Sequence, residues 1–73
     1  MINSDSPVPL YDQVAAILRG QIERGEITSR LPSLRTIAQE YEVSHITAEH
    51  AVRVLRDEGL VVTVTGKGTY VQR

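Results

Sequence analysis

The sequence contains no cysteine and only two histidines among its 73 residues. Without cysteine the chain can form neither a disulfide framework nor a thiolate metal site. His45 and His50 stand five positions apart, which places them roughly 140° apart around a helix rather than on one face. Two histidines in that arrangement do not favour a shared metal ion. We therefore expect neither a metal nor a cofactor.

Long apolar segments are also missing. No stretch approaches the roughly 20 apolar residues that a membrane helix needs, and residues 1–9 lack the apolar centre of a signal peptide. These absences predict a cytoplasmic protein with no membrane partner. A chain this short buries only about 60% of the surface that its unfolded form exposes, so dimerisation is the simplest added support for its core.

The pattern of residues predicts one domain. Residues 1–9 hold two prolines and small polar residues, which predicts a flexible N-terminal arm ahead of a domain at 10–73. From Leu10 onward, apolar residues recur every three or four positions. This spacing predicts a helix over about 10–24, with Gly25 ending it.

Two shorter helices are predicted next. Ser33 is a plausible N-cap for a helix over 34–41, and Ser44 for a helix over 45–58 that Gly59 would end. Two helices joined by a tight turn form a helix-turn-helix.

The remaining segment changes period and is rich in β-branched residues. Residues 60–65 and 69–73 predict two strands joined by Gly66, Lys67 and Gly68. A two-residue loop, either Gly66-Lys67 or Lys67-Gly68, would supply the positive φ of a tight hairpin; the alternative is an irregular tail. The predicted fold is mainly α with a small β-hairpin, which is a winged helix-turn-helix.

Three stretches of the sequence carry a family resemblance: PLYDQVAAILRGQIERG, RLPSLRTIAQEYEVS and VRVLRDEGLVVTVTGKGTYV. Together they resemble the N-terminal winged-helix domain of the GntR-type bacterial transcription regulators. The resemblance implies sequence-specific binding of double-stranded DNA by a transcription regulator, with repressor as the expected role. It also implies a homodimer on a palindromic operator. Members usually carry a C-terminal effector domain, so the chain is either a fragment or a short stand-alone member, and an effector is expected only with such a domain.

The resemblance places DNA contacts on the helix-turn-helix and the wing. It implies that Arg35, in the first turn of the second helix, contacts phosphate; the alternative is a solvated arginine with a Glu partner. The start of a recognition helix enters the major groove, and the free N–H groups beside Ser44 suit a phosphate oxygen. Lys67 contacts phosphate or the minor groove, or is a solvated turn residue. The predicted contacts are Ser33, Arg35, Ser44, His45, Ile46, Thr47, Glu49, His50, Arg53, Gly66, Lys67 and Gly68.

The sequence departs from the family where arginine usually reads DNA. His45 and Glu49 stand at two such positions. Arginine binds guanine bidentately, worth about 1–3 kcal/mol of discrimination, whereas a glutamate repels phosphate but can accept from the amino group of cytosine. Either the helix prefers cytosine opposite Glu49, or it no longer reads DNA strongly. Glu42 stands where glycine is typical, and a left-handed backbone there would cost about 1 kcal/mol.

Charge is the least typical property, because the formal net charge is −1 and nucleic-acid-binding domains are usually basic. We expect the acids of the arm and the first helix to face away from DNA, and Glu49 to be the one acid on the reading end. The cations expected on the DNA side are Arg30, Arg35, Arg53, Arg56, Lys67 and, as a further candidate, Arg73. Few phosphate contacts per monomer would make binding weak, and two copies on a palindrome would restore it.

The sequence favours DNA binding over two alternative functions. In a winged-helix protein-interaction module, Glu49 and an exposed Ile46 would dock on another protein. An enzyme is not expected, because the sequence has no nucleophile–base pair, no metal-ligand spacing and no phosphate-cradling loop.

Overall fold

The computed structural model describes residues 2–72 and consists of three helices followed by a two-stranded hairpin. The elements are α1 (Leu10–Glu23), α2 (Leu34–Tyr41), α3 (His45–Asp57), β1 (Val61–Val64) and β2 (Gly68–Val71). The predicted fold class is confirmed, and each helix boundary agrees with its prediction to within one residue. The possible cation Arg73 lies outside the described residues.

Both helices of the helix-turn-helix begin at a serine N-cap, as predicted. Ser33 Oγ accepts a hydrogen bond from the Thr36 N–H at 3.1 Å, and Ser44 Oγ accepts one from the Thr47 N–H at 3.0 Å. Each bond satisfies one of the N–H groups that the first turn of a helix leaves without a partner. The two caps therefore fix where α2 and α3 start.

The turn between α2 and α3 depends on the left-handed backbone of Glu42, whose φ and ψ are 55° and 45°. The N–H groups of Glu42 and Val43 both donate to the Ala38 carbonyl and end α2. A residue with a Cβ is disfavoured in this conformation by roughly 1 kcal/mol. The left-handed geometry considered at Glu42 is thus confirmed, and it lets the chain reverse into α3.

A single hydrophobic core lies between the three helices and the root of the hairpin. The larger side chains that are almost fully buried are Val14, Leu18, Ile37, Leu55 and Val61. Most of the predicted apolar stripes face this core, although Leu10 and Ile17 are only half-buried. Ala15, Ala48 and Ala51 are fully buried, and such small side chains let helices approach one another closely.

The hairpin differs from its prediction in the length of its loop. Its antiparallel register pairs Val64 with Gly68, so the loop contains three residues, 65–67, and the predicted two-residue loop is wrong. The Lys67 N–H donates to the Val64 carbonyl at 3.0 Å. Gly66, at the third position of this turn, has a φ of 79°, the conformation that a type II turn requires there.

Residues 29–31 extend the hairpin into a third, short strand-like edge that the sequence did not predict. Arg30 forms a β-bridge with Tyr70. The Leu31 N–H donates to the Thr69 carbonyl at 2.9 Å, and the Val71 N–H donates to the Ser29 carbonyl at 2.6 Å. β2 is therefore paired on both edges.

The N-terminal residues 2–9 contact the first turns of α1. The Asn3 N–H donates to Gln13 Oε1 at 2.6 Å, and Gln13 Nε2 donates to the Asn3 and Val8 carbonyls. Ile2 packs against the core. The flexibility predicted for the arm stays a prediction. No helix within residues 2–72 is long and apolar enough to cross a membrane.

Candidate nucleic-acid interface

α3 has one buried face and one exposed face. Ala48, Ala51, Val52 and Leu55 lie in the core. The side chains on the opposite face, at spacings of three and four residues, are Ile46, Glu49, Arg53 and Arg56, all exposed. His45 is exposed at the start of the helix. His45, Ile46, Glu49 and Arg53 thus point away from the core, whereas their contact with DNA stays a prediction.

Ile46 is the most unusual of these side chains, because 77% of its surface is exposed. A large aliphatic side chain in the first turn of a helix gains nothing from water. In the major groove an apolar side chain can pack against the methyl group of thymine. Ile46 therefore has chemistry that matches a DNA base better than it matches solvent.

The first turn of α3 presents hydrogen-bond donors. Ser44 Oγ accepts from the Thr47 N–H and donates to Thr47 Oγ1 at 2.9 Å. The hydroxyl hydrogen of Thr47 is then left for another acceptor. The remaining N–H groups of the first turn lie at the positive end of the helix dipole, which is an arrangement that favours phosphate.

His50 lies on a different side of α3 from the exposed face. Its imidazole stacks on the ring of Tyr11 from α1, with ring centroids 3.6 Å apart and planes at 11°. The side chain is half-buried. One face of the imidazole is thus used in packing α3 against α1, a contact that the sequence did not predict. The role of His50 in DNA binding stays a prediction.

The first turn of α2 places Ser33 and Arg35 at the surface. Both residues are exposed. Within residues 2–72 Arg35 forms no ion pair, whereas Arg19, Arg24 and Arg53 each do. The alternative of an arginine neutralised by a glutamate therefore receives no support, and the charge of Arg35 is available to a phosphate.

The tip of the wing carries exposed Lys67 between two glycines that both have positive φ, 79° at Gly66 and 129° at Gly68. The Arg30 guanidinium lies directly over Gly68. A Cβ on Gly68 would lie 2.9 Å from Arg30 Nε, which is closer than such atoms can approach. Arg30 was among the cations expected on the DNA side but not among the predicted contacts. Its position depends on the pairing of residues 29–31 with β2, which no local pattern reveals.

Both arginines on the exposed face of α3 contact another side chain. Arg53 Nη2 lies 3.9 Å from Glu49 Oε1, one helical turn away. Arg56 Nη1 donates to Thr63 Oγ1 of β1 at 3.0 Å. The first contact partly neutralises the acid on the reading end, and the second connects the recognition helix to the wing.

Away from this face, the basic residues are paired. Arg19 donates from Nε and Nη2 to both carboxylate oxygens of Glu58, at 2.9 and 2.7 Å. Arg24 donates to Glu26 at 2.7 Å. These hydrogen bonds lower the pKa of both carboxyl groups. The net charge of −1 is thus compatible with free cations at α2 and the wing.

Comparisons with known proteins agree with this geometry. The model of the family "Bacterial regulatory proteins, gntR family" matches residues 10–71. The HTH-type transcriptional repressor NagR of Bacillus subtilis (strain 168) is 38% identical over 74 residues, covering 99% of this chain. The chain spans only 30% of the length of NagR.

Solved structures give the same result. YtrA from Sulfolobus acidocaldarius, a GntR-family transcription factor, has a TM-score of 0.89 and 32% identity, covering 100% of this chain and 79% of that one. The DNA-binding domain of AraR, crystallised with operator ORX1, has a TM-score of 0.89 and 28% identity, covering 99% of this chain and 95% of that one. This chain therefore belongs to the gntR family of bacterial regulatory proteins.

Proposed function

We propose that this chain is the sequence-specific DNA-binding domain of a transcription repressor, which binds a palindromic operator as a homodimer in the bacterial cytoplasm. The observation that carries the proposal is that the exposed face of α3 is accompanied by two exposed cations with no ion pair within residues 2–72, Arg35 at the start of α2 and Lys67 at the wing tip. The operator complex of the AraR domain supports the same role. Recognition of this kind needs no catalytic step and no cofactor.

In this proposal α3 enters the major groove with its N-terminal turn leading. The groove is about 12 Å wide and admits a helix. The Thr47 hydroxyl and the free N–H groups of the helix start that Ser44 caps donate to phosphate oxygens on one side of the groove, and Ser33 and Arg35 bind the backbone from the start of α2. Lys67, carried between Gly66 and Gly68, approaches the minor groove. Phosphate contacts on both sides of α3 fix its register on the duplex.

The reading residues follow from the exposed face of α3. Ile46 packs against a thymine methyl, and Glu49 accepts from the amino group of a cytosine. His45 forms a single hydrogen bond with a base edge or a phosphate. Arg53 lies close enough to Glu49 to limit its repulsion of the backbone. The preferred half-site therefore contains thymine and cytosine rather than the guanine that arginine reads.

The size of the domain suits two copies on one operator. Its principal extents are 34 × 25 × 20 Å. The centres of half-sites on one face of DNA are about 34–36 Å apart, so two domains fit beside each other when one of their two shorter axes lies along the DNA. Two copies double the phosphate contacts and compensate for the few that one domain makes.

The test is the salt dependence of binding to a duplex of mixed sequence. We expect log K to fall steeply with log salt, and Arg35→Ala to weaken binding to all sequences and reduce the slope by about one. Arg24→Ala is the matched control, because Arg24 pairs with Glu26 near the root of the hairpin and should leave binding unchanged. Absence of binding at low salt would contradict the proposal and favour a protein partner.

The operator itself can be found by selecting bound sites from random duplexes. We expect two inverted half-sites spaced by a whole number of helical turns. A single unrepeated site would contradict the homodimer and leave DNA binding intact.

A further inference from the structure

Arg30 is attached to the wing although it precedes α2 in the chain. Hydrogen bonds on either side of it, from Leu31 to Thr69 and from Val71 to Ser29, hold residues 29–31 against β2. The β-bridge places Arg30 directly opposite Tyr70. Since directly opposed residues share a face of the sheet, the Arg30 side chain starts on the same face of the wing as Tyr70.

From there the side chain extends towards the tip. The position that a Cβ on Gly68 would occupy lies 2.9 Å from Arg30 Nε and 3.2 Å from Arg30 Nη2. Gly68 directly follows Lys67. The guanidinium thus lies beside the first residue of the wing after its tip, on the flank of the hairpin, while Lys67 occupies the tip itself.

In the part of the chain that the structure describes, the guanidinium of Arg30 has no anionic partner. Within residues 2–72, Arg19, Arg24 and Arg53 each form an ion pair, and Arg56 donates to a threonine hydroxyl, but Arg30 does neither. Its guanidinium lies against Gly68, whose missing Cβ leaves room for it. An arginine that is held in place at one end of the wing and lacks a partner retains its full capacity for bidentate binding of an oxyanion.

We propose that Arg30 is a second DNA contact of the wing, and that it donates to a phosphate oxygen of the strand bordering the groove that Lys67 approaches. Gly68 serves this contact by leaving the space through which the guanidinium reaches the tip. The inference rests on the proposed function and adds to it a residue from outside both the helix-turn-helix and the hairpin. A phosphate is the chosen target because the guanidinium lies on the flank of the wing rather than beyond its tip.

The first experiment measures the affinity of Arg30→Ala for the selected operator and for a mixed duplex at several salt concentrations. We expect about a tenfold loss on both duplexes and a decrease of about 0.9 in the salt slope. Arg24→Ala removes the same charge from the opposite end of the hairpin and should change neither quantity. Thermal unfolding of both variants should match that of the unmodified chain, because an exposed side chain is removed in each.

The outcomes separate this inference from the proposed function. If Arg30→Ala binds like the unmodified chain while the latter shows steep salt dependence, Arg30 is not a contact and the domain still binds DNA. If the unmodified chain does not bind, the proposed function fails first. A loss confined to the operator would show that Arg30 reads a base, which contradicts the phosphate contact.

A double-mutant cycle with Gly68→Ala tests the role of the missing Cβ. Because φ of Gly68 is positive, alanine is strained at this position whether residue 30 is arginine or alanine. The strain therefore cancels when the effect of Gly68→Ala is compared between the two chains. We expect Gly68→Ala to weaken binding in the presence of Arg30 and to have much less effect beside Arg30→Ala. An equal loss of DNA affinity in both chains would contradict the inference that Arg30 needs the space beside Gly68.

Discussion

The basic residues of this domain differ between its two sides. On the side of α1, Arg19 and Arg24 each donate to a carboxylate at 2.7 Å. At the wing and the first turn of α2, Arg30, Arg35 and Lys67 form no ion pair within the part of the chain that the structure describes. A net charge of −1 sums both groups and hides this difference. The capacity to bind an anion depends on which cations are free.

The apolar residues differ in the same way. Leu18 of α1 is 1% exposed, whereas Ile46 of α3 is 77% exposed. Leu18 contributes to the core, whereas Ile46 lies at the surface that the proposed partner would contact. This contrast predicts that substitutions in the core reduce stability, whereas substitutions on the exposed face of α3 reduce DNA binding.

The largest expected effect is on the core. Leu18→Ala should reduce the free energy of unfolding by about 2–5 kcal/mol, because it removes a buried side chain and leaves a cavity. Ile46→Ala should change it by less than about 0.5 kcal/mol but weaken binding to the operator more than to mixed DNA. Urea denaturation measures the first quantity, and titration of both duplexes measures the second. If Ile46→Ala proves as destabilising as Leu18→Ala, the contrast between the two sides is wrong.

The next effect concerns the DNA base that α3 prefers. Glu49→Arg replaces the acid on the exposed face by a guanine-reading cation, so it should strengthen non-specific binding and shift the preferred base from cytosine to guanine. A shift of this kind corresponds to about 1–3 kcal/mol of discrimination. Glu23→Arg makes the same change of charge on α1, where Glu23 is exposed, and should alter no base preference. Selection of bound sites from random duplexes measures the preferred base. An unchanged site would mean that Glu49 does not contact a base.

Local chemistry made most of the fold predictable. Ser33 and Ser44 cap α2 and α3 as expected because an N-cap depends only on the residues of the next turn. The three- and four-residue spacing of apolar residues from Leu10 likewise predicted α1 to within one residue. Contacts between distant segments were not predictable in this way. The stack of Tyr11 on His50 and the approach of Arg30 to Gly68 depend on how α1 and residues 29–31 meet the rest of the domain, which no spacing in the sequence encodes.

A smaller effect is expected at the turn between α2 and α3. Glu42→Gly should stabilise the domain by about 1 kcal/mol, because glycine adopts the left-handed backbone of this position without strain. Glu40→Gly, two residues earlier in α2, is the matched control and should destabilise the domain by about 0.5–1 kcal/mol. Chemical denaturation should therefore show opposite signs for the same substitution. Equal signs would mean that the backbone of Glu42 is not strained.

The smallest effect concerns the ion pair between Arg19 and Glu58 on the side of α1. The hydrogen bonds from Arg19 lower the pKa of Glu58 below its ordinary value, so the folded state favours the ionised carboxyl more than the unfolded state does. The resulting stability is complete above about pH 5 and is lost as pH falls below about 4. Because Glu58 is 39% exposed, solvent screening limits the contribution to about 0.2–1 kcal/mol.

Glu58→Gln should therefore destabilise the domain slightly at pH 7, and the difference from the unmodified chain should vanish near pH 3. The pair between Arg24 and Glu26 provides the comparison, since its partners are two residues apart and can also meet in the unfolded chain, where they add no net stability. Glu26→Gln should thus have less effect than Glu58→Gln, whose partner lies 39 positions away. Denaturation curves at both pH values measure these differences. A loss of DNA affinity in Glu58→Gln at pH 7 would contradict the separation of a paired side from a binding side.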